Sequence, residues 1–151
     1  MEKEGLQKRF FVQDFTHLPP QKWEGLLQYV LNKANFVELV IGGEDLPPSL
    51  KPFRSSLVKL FSSRWRWGSR QLGSTTYARL ALSDGLKRYI LERPTLGHWL
   101  RDLEDPTFYI DEQVIMWTIS HENLAFVWLS TDEAINFNAQ GYSLEATELM
   151  L

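Results

Sequence analysis

The sequence predicts an α+β fold: a single domain, residues 1–151, with a mostly antiparallel sheet and three to four packed helices. Three observations lead there. A chain of 151 residues, 44% of them hydrophobic, is long enough for one real core. Trp23, Leu26, Leu27, Val30 and Leu31 recur at spacings of three and four, which is one apolar stripe on a helix. The last third holds three short apolar runs joined by short polar links, the pattern of strands in hairpins.

Taken in order, Arg9 to Phe15 reads as a first strand on the strength of Phe10, Phe11, Val12 and Phe15. His17-Leu18-Pro19-Pro20 stops it, and Pro20 suits the first turn of the striped helix, where its missing N–H costs nothing. Phe36 to Ile41 is β-rich and ends at Gly42-Gly43, followed by a loop to Pro48. Ser49 is expected to cap a second helix that turns Leu50, Phe53, Leu57 and Leu60 or Phe61 inward. Thr75 to Leu82 alternates, with Ala78, Leu80 and Leu82 on one side.

Asp84-Gly85 favours a tight hairpin, so Leu86 to Leu91 is expected to be the partner strand; Leu86, Tyr89 and Ile90 also fit a helical face. Thr95 is expected to cap a helix with Leu96, Trp99, Leu100 and Leu103 on one stripe. Thr107 to Ile110, Val114 to Ser120 and Ala125 to Leu129 read as three strands, and the second and third are apolar at nearly every position. Such strands belong in the middle of a sheet with both faces covered. Ser130 and Glu133 have capping-box spacing, which starts a helix that ends near Gly141.

Charge is segregated along the chain. The net charge is −3, yet residues 1–45 carry −2, residues 46–101 carry +9 and residues 102–151 carry −10. Such blocks suggest surfaces of opposite potential, unless the basic middle and the acidic end lie against each other in the fold. There is no cysteine, which excludes disulfides, thiolate chemistry and Cys-based metal sites. Neither a secretory leader nor an apolar run of membrane-spanning length is visible, so the expectation is a cytoplasmic protein with no membrane partner.

No motif for chemistry stands out, and no metal or cofactor is expected. His17, His98 and His121 form no metal pair, and His121-Glu122 lacks the second histidine of a zinc-protease helix. Adjacent carboxylates such as Glu44-Asp45, Asp111-Glu112 and Asp132-Glu133 suit turns better than acid/base pairs. Glu38 stands inside an apolar strand and is a carboxylate to follow.

The leading functional expectation is a non-enzymatic interaction module that presents an acidic face to a basic protein partner. The candidate residues are Asp102, Glu104, Asp105, Asp111, Glu112, Glu122, Asp132 and Glu133. Immunity and inhibitor proteins against basic toxins offer an analogy of charge and size. One alternative is single-stranded nucleic-acid binding through Arg64, Trp65, Arg66, Trp67 and Arg70, where tryptophans would stack on bases and arginines would neutralise phosphates. The bland reading of the same stretch is a strand whose tryptophans face the core. Self-association through this aromatic face or through Leu149-Met150-Leu151 is another. A further alternative is a small enzyme that uses Glu38, Glu44, Asp45 or His121 without a local motif.

Overall fold

The computed structural model describes residues 7–66, 69–99 and 103–147, and only the backbone of residues 64–66 and 69–74. Among these, eight strands form one sheet: β1 (Lys8–Asp14), β2 (Phe36–Ile41), β3 (Leu57–Arg66), β4 (Ser69–Ala81), β5 (Leu103–Ile110), β6 (Gln113–Ile119), β7 (Leu124–Ser130) and β8 (Glu145–Ala146). Their order across the sheet is β3-β4-β2-β5-β6-β7-β1-β8, and every pairing is antiparallel. Three α-helices accompany them: α1 (Pro20–Leu31), α2 (Asp84–Leu91) and α3 (Thr131–Ala139). The α+β class and the antiparallel sheet are as the sequence predicts.

The helices share one core with one face of the sheet. Trp23, Leu26, Leu27, Val30 and Leu31 of α1 bury their whole stripe in a cluster that includes Phe11, Val37, Leu80, Leu86 and Val127. A second cluster, Phe10, Trp117 and Phe126, is built from strand residues alone. Phe10 and Phe11 are neighbours in β1, as are Phe126 and Val127 in β7, so the two clusters lie on opposite faces. Trp117 and Phe126 are stacked 3.9 Å apart across the β6–β7 pair. Both central strands therefore bury side chains on both faces, on the second face against other strand side chains alone, which is why their sequences do not alternate.

Three elements depart from expectation. Residues 84–91 are helix α2, not the second strand of a hairpin. The Ser83 hydroxyl accepts from the Leu86 amide, and Leu86 and Ile90, four apart, enter the core; an N-cap with helical spacing outweighs the Asp-Gly turn preference. The helix expected after Ser49 is a 3-10 segment, Pro48–Ser56, broken by Pro52 and a non-helical Phe53. Leu57, Leu60 and Phe61 belong instead to β3, where pairing with β4 gives their backbone its partners.

The helix expected after Thr95 is only a short 3-10 turn, Leu96–His98. The Thr95 hydroxyl lies 2.7 Å from the His98 ring rather than capping a backbone amide, and Leu103 already opens β5 opposite Ile41. Leu100 and residues 149–151 fall outside the described residues. Helix α3 does start with the capping box: Glu133 N–H donates to the Ser130 hydroxyl and Ser130 N–H donates to the Glu133 carboxylate. Gly141, at φ +102, turns the chain after it in a conformation that suits glycine.

Among the described residues no helix is long and apolar enough to cross a membrane.

Candidate functional site

The antiparallel order sorts the acidic residues of the C-terminal third to two ends of the sheet. Glu104 and Asp105 stand at the start of β5, beside the 3-10 turn Ser120–Glu122 that follows β6. Asp111 and Glu112 form the β5–β6 turn at the opposite end, the same end at which β7 runs into α3 with Asp132 and Glu133. A strand of the length of β6 spans about 20 Å, so these are two acidic clusters and not one continuous patch. Asp102 lies outside the described residues.

Three of these carboxylates hold the backbone together. Asp105, in the left-handed region at φ 51, accepts from the Ser120 amide while its own amide donates to the Ser120 hydroxyl. Asp111, also at φ 51, accepts from the Asn35 side-chain amide and donates its N–H to the same side chain. Glu133 completes the α3 cap, accepts from the Tyr29 hydroxyl and lies 4.0 Å from the Lys8 ammonium. Glu112 is different: its side chain is 92% exposed. Glu122 and Asp132 are exposed too, and Glu104 is half-buried.

Burial opposes ionisation of Glu133, but its bonds from Ser130 and Tyr29 and the Lys8 charge outweigh it and hold its carboxyl below the ordinary value of 4.5. A carboxyl lowered in the folded state contributes stability above its unfolded pKa and loses it as pH falls through the folded one. Glu133→Gln is therefore expected to cost about 1 kcal/mol at neutral pH, the scale of a lost cap, and to lose stability less steeply below about pH 4.5. Denaturation midpoints from pH 7 to pH 3 check this. Parallel acid limbs in the two proteins would assign the acid lability elsewhere. Burial and the Glu133 carboxylate also push the Tyr29 phenol well above its usual range, so Tyr29 stays protonated and donating.

Among the described residues, the basic middle of the chain is not laid against the acidic end as a block, and one ion pair joins them, Arg79 to Glu112 at 3.7 Å. The Arg79 side chain is only 12% exposed. Its guanidinium sits 4.7 Å from the Phe36 ring centroid and 4.5 Å from that of Tyr109, and it donates to the Asp111 carbonyl oxygen. Arg54 pairs instead with Asp45, in the loop after β2.

The arginine–tryptophan stretch lies at the tip of the β3–β4 hairpin. Residues 69–75 of β4 pair with β3 alone, beyond the last residue of β2, so the hairpin runs on for about 20 Å of strand. Trp65 pairs with Arg70 and Arg66 with Ser69, and the register shifts between Ser63 and Trp65. The side chains of Arg64, Trp65, Arg66 and Arg70, and all of Trp67, fall outside the described residues. Nearer the body, Lys59 rests over the Phe61 ring, which stacks on Tyr77 at 5.2 Å.

A cavity of about 180 Å³ opens at the end of the sheet that carries Asp111 and Asp132. Val30, Ile110, Ile115 and Trp128 make its apolar wall. Lys8, Tyr29, Lys33 and Gln113 supply its polar rim. None of these four was singled out from sequence, because β1, α1 and β6 each contribute separately and only folding brings them together. The one local signal was Tyr29 and Lys33, four residues apart across the end of α1, with the Lys33 ammonium 5.0 Å from the Tyr29 ring centroid.

The candidates for chemistry do not meet in this cavity. Glu44, Asp45 and His121 are exposed, and Glu38 is half-buried in β2 with the Tyr109 hydroxyl 3.4 Å away. Among the described residues no group of three histidine or carboxylate side chains could hold a metal ion. No protein-family model, curated protein or solved structure matches the chain.

Proposed function

We propose that this protein is a non-enzymatic interaction module that receives a basic protein partner on the two acidic clusters at the ends of its sheet. The observation that supports this reading most is the exposure of the Glu112, Glu122 and Asp132 carboxylates on the described surface. Ten acids and no lysine or arginine lie in residues 102–151, and one described ion pair connects them to the basic middle. Glu104, Glu112, Glu122 and Asp132 make no backbone-holding contact of the kind that engages Asp105, Asp111 and Glu133. Carboxylates on a rigid sheet frame steer a cationic partner and raise its association rate without contributing much to the fold.

The test is a fourfold charge reversal, E104K/E112K/E122K/D132K, which spares the three structural carboxylates. The immobilised wild type is expected to retain basic proteins at low salt and to release them at high salt. A retained protein, once purified, is expected to associate with the variant about 10–100 times more slowly, with little salt dependence left. Equal rates for the two proteins, at an unchanged melting temperature, would dismiss the acidic-surface reading.

A further inference from the structure

We infer that the cavity between the end of α1 and the β5–β6 and β7–β1 ends of the sheet binds a small amphipathic monocarboxylate: one ring, or a chain of about six carbons, ending in one carboxylate. The size follows from the volume. About 180 Å³ is close to the roughly 150 Å³ of an apolar cavity that holds benzene, so one ring or one short chain fills it. The wall is suited to such a tail. Val30 and Ile115 are buried, Trp128 packs against both hydrophobic clusters at the rim of the sheet, and Ile110 is left 39% exposed at the mouth. An isoleucine at the lip of an apolar hollow is covered when a tail enters.

The charge of the rim selects the head group. Lys8 and Lys33 both reach the cavity, and Glu133 stands against Lys8 at 4.0 Å. Glu133 thereby cancels one of the two cations. Lys33 rests on the Tyr29 ring and, among the described residues, forms no ion pair, so the rim keeps one uncompensated positive charge. One charge matches one carboxylate rather than a dianion. The Tyr29 hydroxyl is committed to Glu133, which fixes the ring as a wall beneath the Lys33 ammonium. Gln113 donates its side-chain amide to the Val114 carbonyl and is thereby held at the rim. Of the neighbouring turn carboxylates, Asp111 is held by Asn35, while Glu112 reaches into solvent, 92% exposed, with Arg79 at 3.7 Å.

This inference is independent of the acidic-surface reading, since it uses a different set of side chains and a small ligand. Its test is calorimetric titration of the full chain with hexanoate and with 1-hexanol, which has the same chain and no charge. Hexanoate is expected to bind with a dissociation constant between micromolar and millimolar, and hexanol about tenfold more weakly or worse. Lys33→Met is expected to weaken hexanoate about tenfold or more and to leave hexanol unchanged, while Lys33→Arg keeps hexanoate within about threefold of wild type. Lys33 is exposed, so neither variant threatens the fold. No hexanoate binding in the millimolar range, equal affinity for hexanol, or an unchanged Lys33→Met would each overturn the inference.

Discussion

Replacing Trp23 with alanine is expected to lower stability by about 3–5 kcal/mol, which would remove much of the margin a domain of this size has. Trp23 is 1% exposed, the bulkiest residue of the α1 stripe, and its ring meets Phe15 edge-on at 5.5 Å. Its removal strips apolar contact from α1 and leaves a hole between the helix and the first strand, into which Phe15 cannot fully relax while the neighbouring Leu26 and Leu27 are themselves buried. Urea denaturation followed by circular dichroism reads the loss directly, and the melting temperature should fall by about 10 °C or more. A loss below about 1 kcal/mol would mean that α1 repacks freely, contrary to the packing seen here.

Gln13→Leu should be nearly as costly, at about 3 kcal/mol, for a different reason. Gln13 is fully buried on the helix-side face of β1 between Phe11 and Phe15. Its carbonyl oxygen accepts from the Ser143 amide, and its side-chain nitrogen donates to the Ser143 hydroxyl and to the Asp14 carbonyl oxygen. Leucine fills the space but loses all three bonds, each worth about 1 kcal/mol, while the freed groups of the exposed Ser143 and Asp14 can turn to water. The same bonds, with those between Asn138 and Leu144, tie down the segment that leads into β8 beside β1. The variant should therefore show fast amide exchange and early proteolysis in residues 140–147 before global unfolding. Exchange there as slow as in wild type would show that Gln13 is not the clasp.

The acidic residues show where reading the chain and reading the fold diverge. Glu133 announces its structural use in the sequence, three residues after Ser130 and at the head of a helix. Asp105 and Asp111 do not, because their partners, Ser120 and Asn35, are 15 and 76 residues away. Nothing local distinguishes Asp111 from Glu112 beside it, yet one is tied to Asn35 and the other is almost wholly exposed. The same holds for the cavity: each lining residue has an ordinary explanation where it stands in the sequence, and only the meeting of β1, α1, β6 and β7 gives the group a shape and a net charge.

The sequence by itself determined what depends on near neighbours. Helix α1 was legible because residues three and four apart share a side, β6 and β7 because a strand that buries side chains on both faces has no polar residues to alternate, and α3 because its cap is closed within four residues. Only the tertiary structure decided the rest. Residues 84–91 could satisfy their backbone as strand or helix, and burial of Leu86 and Ile90 against the sheet settled it as helix. Leu57 to Phe61 left a helical pattern for a strand because β4 was there to pair with them. The order of the strands likewise split one acidic stretch between two ends of a sheet, where among the described residues one ion pair, Arg79 to Glu112, joins it to the basic middle. Local periodicity and capping are written in a few adjacent side chains, whereas pairing partners, cavities and charge in space depend on contacts between distant residues, whose energies no short window contains.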